Sequence, residues 1–173
     1  MLELIKQRRS IRRYTAEPVE ESAVRALLEA AMAAPSANNR RPWEFVVVTE
    51  APLRQALAGI HRWSYMCAQA PVVLAVLADP DSDPDHWVED AAAATQNLLL
   101  AATAQGLGSV WVAVHPRPER EAAVRRILQV PERLRVLCLV AVGHPAETRP
   151  ARRNPYEAAK VHGERYGRPW VQS

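Results

Sequence analysis

Three stretches of this chain carry side chains that could grip a ligand. The first, Arg8-Arg9-Ser10-Ile11-Arg12-Arg13-Tyr14, crowds guanidinium and hydroxyl groups together. Three of them could converge on one anion while Ile11 and Tyr14 anchor the segment to a core, and forked guanidiniums suit phosphate or carboxylate. The second, Pro35-Ser36-Ala37-Asn38-Asn39-Arg40-Arg41-Pro42-Trp43, is a turn-rich loop with two prolines and adjacent asparagines. It cannot continue a helix, and loops held between regular elements are common ligand grips. The third is Gly106-Leu107-Gly108-Ser109-Val110-Trp111. Alone, each has a plainer reading: a solvated charge run, a helix-to-strand connection, a helix stop. The Gly-Leu-Gly turn lacks the GxGxxG spacing, and it follows a helix where a dinucleotide fingerprint follows a strand.

Side chains that do covalent or metal chemistry are poorly arranged. The five histidines, His61, His86, His115, His144 and His162, show no HxxxH or HExxH spacing and no cysteine pair nearby, which argues against zinc. No GxSxG elbow and no P-loop occurs. Cys67 and Cys138 fall in apolar segments without a CxxC motif and read as buried, reduced thiols of a cytoplasmic protein. The aspartates from Asp79 to Asp85 form an exposed-looking loop without the glycine and terminal glutamate of a calcium hand. What remains is a set of binding groups, a pattern suited to a protein whose chemistry belongs to a bound cofactor.

Hydrophobic periodicity supplies the elements that must position these groups. Leu2 to Gln7 reads as a short helix with Leu2 and Ile5 on one side. Pro18 opens a second, in which Val24, Leu27, Leu28, Ala31 and Met32 recur at one-face spacing. Phe45 to Val48 reads as a central strand, Pro52 to Ile60 as a helix, and Val72 to Leu77 as a second buried strand. Trp63 to Ala70 is ambiguous and suits a short helix at most. His86 to Gln105 is apolar almost all round and so belongs to a core or a subunit interface, the best spine for a dimer. Gly106 caps it, and Gly108 turns the chain into a strand from Ser109 to Val114. A helix from Pro118 and a strand from Leu134 to Val142 complete an α+β sandwich, with helices around one mixed sheet of four to five strands.

The 173 residues fit one domain, and no apolar run is long enough to span a membrane. The N-terminus lacks the layout of a signal peptide. Basic residues exceed acidic ones by three, and only Lys6 and Lys160 are lysines. This arginine excess points to an anionic ligand. It is scattered among glutamates and places no cluster on a groove-sized helix, which argues against nucleic acid. Residues 146–173 are polar and rich in Arg and Pro, and such a tail needs another surface, such as a partner subunit, to order it.

Taken in order, RRSIRRY, APSANNRRPWEFVVV, the alanine-rich helix into GLGSVWVAV, LVAVGHP, RRNPYE and HGERYG resemble the nitroreductase family of flavin enzymes across most of the chain. The resemblance implies an FMN-containing homodimer with exchanged tails, reduced by NADH or NADPH and reoxidised in ping-pong fashion by a nitro compound, quinone or similar small acceptor. By position, Arg8, Arg9, Ser10 and Arg12 would hold the FMN phosphate, ribityl chain and pyrimidine edge, with Arg152 and Arg153 meeting the phosphate from the tail. Pro35, Ser36, Ala37 and Asn39 would reach the flavin from the other subunit. Trp111, Val112, Ala113 and Val114 would line one ring face, the backbone N–H of Ala113 or Val114 lying near N5.

Two departures stand out. Arg41 occupies a position where the family usually has Gln, and Ala113-Val114-His115 replaces the Gly-Ala-Phe of short members. His115 could serve as a proton donor or simply as a polar loop residue. Acceptor specificity would fall to Trp63, Tyr65 and Trp87. Two alternatives share the flavin: a binding or sensing protein with little turnover, and an enzyme of the same fold with another substrate.

Overall fold

A strand that is apolar at every position can be satisfied only if both its faces are covered. Val72–Ala78 is such a segment, and it lies in the middle of a four-stranded sheet. The computed structural model describes residues 1–153 and 155–170. The strands are β1 (Trp43–Val48), β2 (Val72–Ala78), β3 (Gly108–Ala113) and β4 (Arg135–Gly143), in the spatial order β1-β2-β4-β3. All three pairings are antiparallel, and the parallel part of the expected mixed sheet reduces to one bridge, Ser10 to Ser109.

Two helical layers cover the sheet. On one face lie α1 (Leu2–Gln7), α2 (Glu21–Met32) and α4 (Trp87–Ala104); α3 (Ala51–Ala58) and α5 (Pro118–Leu128) lie on the other. The pleat sorts the side chains between them. Leu74, Val76, Cys138 and Val140 face α2 and α4, whereas Val73, Ala75, Leu139 and Ala141 face α3 and α5. A bulge after Val76 moves the register so that Leu77 pairs with Val136. Leu137 sits in that irregularity, and its carbonyl accepts from both Val114 N–H and His115 N–H.

Several expectations need correction. Phe45 to Val48 belongs to an edge strand, not a central one, and Val47 is exposed. The second helix begins at Glu21, because Pro18 to Glu20 remain outside it. Its buried face is Val24, Leu27 and Ala31; Met32 is half exposed, as are Leu2 and Ile5 of α1. Tyr65–Ala68 forms a single 3-10 turn between α3 and β2. The loop after β2 is not wholly exposed, since Asp83 is buried and accepts from His86 N–H and Nδ1.

The end of α4 is set by local chemistry. Gly106 takes a left-handed φ of 72°, Leu107 N–H bonds Ala102 O at 2.9 Å, and Gly106 N–H bonds Thr103 O at 3.1 Å. This pair closes the last carbonyls of the helix and turns Leu107 inward. Gly108 then opens β3 for a different reason than turning. A Cβ there would lie 2.7 Å from Ile11 Cγ2 and 2.9 Å from Ile11 Cβ. Its cross-strand partner Gly143 is equally confined, with Pro71 Cδ 2.6 Å from the missing Cβ. We expect Gly108→Ala to lower the urea midpoint without changing the slope, by about 1–3 kcal/mol, because Ile11 is held close to its own Cβ and cannot swing aside.

Candidate functional site

Because Gly108 is bare, the segment after α1 lies directly on the edge of β3. Ile11 N–H donates to Ser109 O at 3.0 Å, and Tyr14 hydroxyl donates within reach of Ile11 O at 2.6 Å and Ala141 O at 3.1 Å. Ile11 and Tyr14 are both buried, as their anchoring role requires. Arg12 N–H donates to Glu147 Oε1 at 2.6 Å, which ties the same segment to the stretch after β4. Arg12, between these anchors, is therefore held by its neighbours, whereas Arg13 is exposed.

The tail brings more positive charge to them. Arg152 N–H donates to Lys6 O at 3.0 Å, and Arg9 Nη1 donates to Pro150 O. Arg9, Arg152 and Arg153 line one open cleft of 590 Å³, with Glu157 the acid among its lining residues. Burial pulls the Arg8 pKa down, and the neighbouring charges of Arg152 and Arg9 pull it further. Like charges packed this way are relieved by an anion, and a phosphate offers guanidiniums several acceptor oxygens. Asn154, which belongs to the same tail motif, and residues 171–173 lie outside the described residues.

A second cavity, of 210 Å³, opens along the free edge of β3 between Arg12, His61, Trp63, Met66, Trp111 to Ala113 and Arg120. In an antiparallel ladder, alternate residues of an edge strand turn their N–H and C=O outward. Val114 N–H is engaged with Leu137 O at 3.3 Å, which makes Ala113 an outward residue. Arg120 Nη1 donates to Ala113 O at 3.0 Å. The expected backbone donor is accordingly Ala113. Val114 is corrected on both counts: its N–H is taken, and its side chain is fully buried on the α3–α5 side. Val112 points the same way, so it contributes backbone rather than side chain.

The loop from Pro35 to Asn39 is not part of either cavity within one chain. It forms a 3-10 turn, Ala37–Asn39, pinned by Ala37 N–H to Asp90 Oδ1 at 3.0 Å. Asn38 and Asn39 take positive φ values of 50° and 55°, which asparagine tolerates. Arg41 does so too, at 50°, where a long side chain is costly. It is held by Ser36 Oγ, which accepts Arg41 N–H at 2.9 Å, and by Asn39 Oδ1, which accepts Arg41 Nε at 3.0 Å. Such local strain persists only where surroundings enforce it, and it clusters at functional sites.

Other candidates fall away from the site. Trp87 is buried, with its ring 4.9 Å from the His115 ring and Arg135 over its face, so it cannot select acceptors. His115 packs on it, its Nδ1 buried without a partner among the described residues. Burial pushes both cysteine thiols up to about 12, leaving them inert as nucleophiles. Among the described residues no cluster of three His, Cys, Asp or Glu could hold a metal, and no helix is long and apolar enough to cross a membrane. Sequence reasoning missed His61, Asp90, Arg120 and Glu147. None sits in a motif, and Asp90 and Glu147 act through contacts distant along the chain, to Ala37 and Arg12.

Similarity to known proteins identifies the family and the fold. The nitroreductase family matches over residues 5–64 and 58–144. A protein of Methanothermobacter thermautotrophicus, provisionally named an NADH dehydrogenase/NAD(P)H nitroreductase, is 38% identical over 96% of this chain and 87% of its own length. An FMN-dependent nitroreductase from Clostridium difficile superimposes with a TM-score of 0.92 at 31% identity, covering 96% of this chain and all (100%) of that one. A provisionally assigned nitroreductase from Desulfovibrio desulfuricans, solved in complex with FMN, gives 0.77 at 38% identity over 89% of this chain and 91% of that one. The chain belongs to the nitroreductase family. Since Asp90 Oδ1 accepts the Ala37 N–H, we expect Asp90→Ala to cost about 1–3 kcal/mol in thermal unfolding and to raise amide exchange from Ala37 to Arg41 first.

Proposed function

We propose that the protein is an NAD(P)H-dependent oxidoreductase of the nitroreductase type that uses FMN. The observation that carries this reading is the convergence of Arg8, Arg9, Arg152 and Arg153 at one end of the β3 edge, with the outward Ala113 N–H at the other. A phosphate fits the arginine end, and an acceptor-bearing ring fits the donor end. Bound there, FMN supplies a carrier that takes hydride from NADH or NADPH and yields it to a nitro compound, quinone or similar acceptor.

The chain's own residues then have separable roles. Arg8, Arg9 and Arg152, with Arg153 alongside, neutralise the phosphate, and Ser10 and Arg12 continue the line of donors toward β3. Ala113 N–H is a fixed dipole whose orientation costs nothing when charge develops opposite it. Trp111 lines the cavity along β3. Donor and acceptor use the same opening in turn, a ping-pong order, and no side chain is required as nucleophile.

The assembly follows from what one chain leaves bare. Met32, Leu2 and Ile5 expose apolar surface near a shallow cavity of 390 Å³ among Leu4, Ala30, Ala33 and Leu100. Tyr156, Tyr166 and Trp170 are exposed on the tail. A homodimer in which each tail crosses its partner covers both, and it gives the Pro35 to Asn39 loop a site to complete. The buried free thiols suit a reducing compartment such as the cytoplasm.

Three outcomes are expected. The purified protein dialysed after addition of FMN retains a flavin spectrum, which bleaches anaerobically with NADH or NADPH; retained flavin that does not bleach with either would favour a sensing role. Arg8→Ala combined with Arg152→Ala weakens FMN binding by about a hundredfold or more, given about 1.5–3 kcal/mol for each charge-assisted bond. Removing residues 154–173 shifts the sedimentation profile from dimer toward monomer; an unchanged dimer at equal concentration would show that the tail does not hold it.

A further inference from the structure

Several acceptors of the loop between α2 and β1 are taken within the loop itself. Ser36 O accepts Asn39 N–H at 3.0 Å, Ala37 O accepts Arg40 N–H at 3.1 Å, and Ser36 Oγ accepts Arg41 N–H at 2.9 Å. The Asn39 amide is committed in the same way. A guanidinium has donors and no acceptor, so the amide atom 3.0 Å from Arg41 Nε can only be the oxygen, Oδ1. Nδ2, on the other side of the amide, is thereby directed away from Arg41 as a donor. Asn39 and Arg41 are both exposed in one chain, and both hold left-handed φ values.

We propose that Arg41 is a positioning residue for the cofactor site of a second copy of this chain: its Nε holds the Asn39 amide oxygen-inward, so that Nδ2 donates to an acceptor atom of the FMN ring. The inference rests on the FMN reading and on the dimer in which the Pro35 to Asn39 loop completes its partner's site. A free asparagine amide offers oxygen or nitrogen with equal ease, and oxygen set against a ring oxygen repels. Locking the amide beforehand removes that choice, so less ordering is left to be done on binding. The lock needs a donor at the ε position. Lysine has none there, whereas the amide nitrogen of glutamine lies as many bonds from Cα as arginine Nε does. The loop itself is anchored without the Arg41 side chain, by Ala37 N–H on Asp90 Oδ1, by Arg41 N–H on Ser36 Oγ, and by Arg40 Nη1 on Ser82 O at 2.8 Å. Exchanging that side chain therefore leaves the loop in place.

FMN titration of the full-length protein and three variants tests this. Arg41→Lys keeps the charge but not the ε donor, and it weakens FMN binding about tenfold, as expected for one hydrogen bond. Arg41→Gln keeps a donor there but not the charge, and it restores most of the affinity. Asn39→Asp still accepts from Arg41 Nε but has no outward donor, so it loses as much as Arg41→Lys. The visible bands of the bound flavin, which respond to hydrogen bonds at the ring, move in Arg41→Lys and return in Arg41→Gln. Thermal midpoint and sedimentation profile stay close to wild type in all three. Affinity that follows charge, with lysine better than glutamine, would overturn the assignment, as would unmoved bands or a loss of FMN that accompanies loss of the dimer. FMN retained equally by wild type and Arg41→Lys overturns this assignment alone. If the wild-type protein retains no FMN, the flavin reading fails and the assignment with it.

Discussion

The structure turns on two missing side chains that face each other. Gly108 opens β3 and Gly143 closes β4, and they are cross-strand partners. Together they leave a notch at the corner of the sheet, floored by backbone alone. Ile11 enters it over Gly108, while Tyr14 and Pro71 press on Gly143. The notch is what lets an irregular, arginine-rich segment lie flush on a sheet edge and hydrogen-bond to Ser109. Any larger residue at either position would push the arginines away from the strand whose outward N–H groups share the site.

The same corner explains how the functional groups came to be distributed. Charge enters from the segment after α1 and from the tail, two stretches with little apolar content of their own. The sheet contributes only backbone there. A cofactor with a charged end and a flat, acceptor-rich end fits this division, because each end meets a different kind of donor. The helices contribute alignment: α4 delivers the chain to Gly106, and its first-turn Asp90 fixes the strained loop around Arg41.

How much of this was legible beforehand depended on whether the signal was local. The lengths of α4 and β2, the anchors Ile11 and Tyr14, and the buried cysteines could all be read from apolar runs and spacing. The edge position of β1 could not, because Phe45 to Val48 is as β-branched as a central strand and only the register reveals its open side. Trp87 looked like a specificity residue, yet it is packed on His115 from a distant loop. Val114 and Ala113 were indistinguishable as donors until the bulge at Leu137 assigned one of them inward.

Lysine is almost absent from this protein, and absent among the described residues that line the arginine cleft. A guanidinium keeps its proton throughout the range in which proteins work, even when burial and like charges act against it. The arginines of the cleft therefore stay charged across that range. The cleft's weakness lies elsewhere. A grip made from several fixed charges, much of it open to solvent, is loosened by dissolved salt, whose ions screen it within about 10 Å at 0.1 M. Ionic strength is the solution variable to which such a cluster of fixed charges answers most directly.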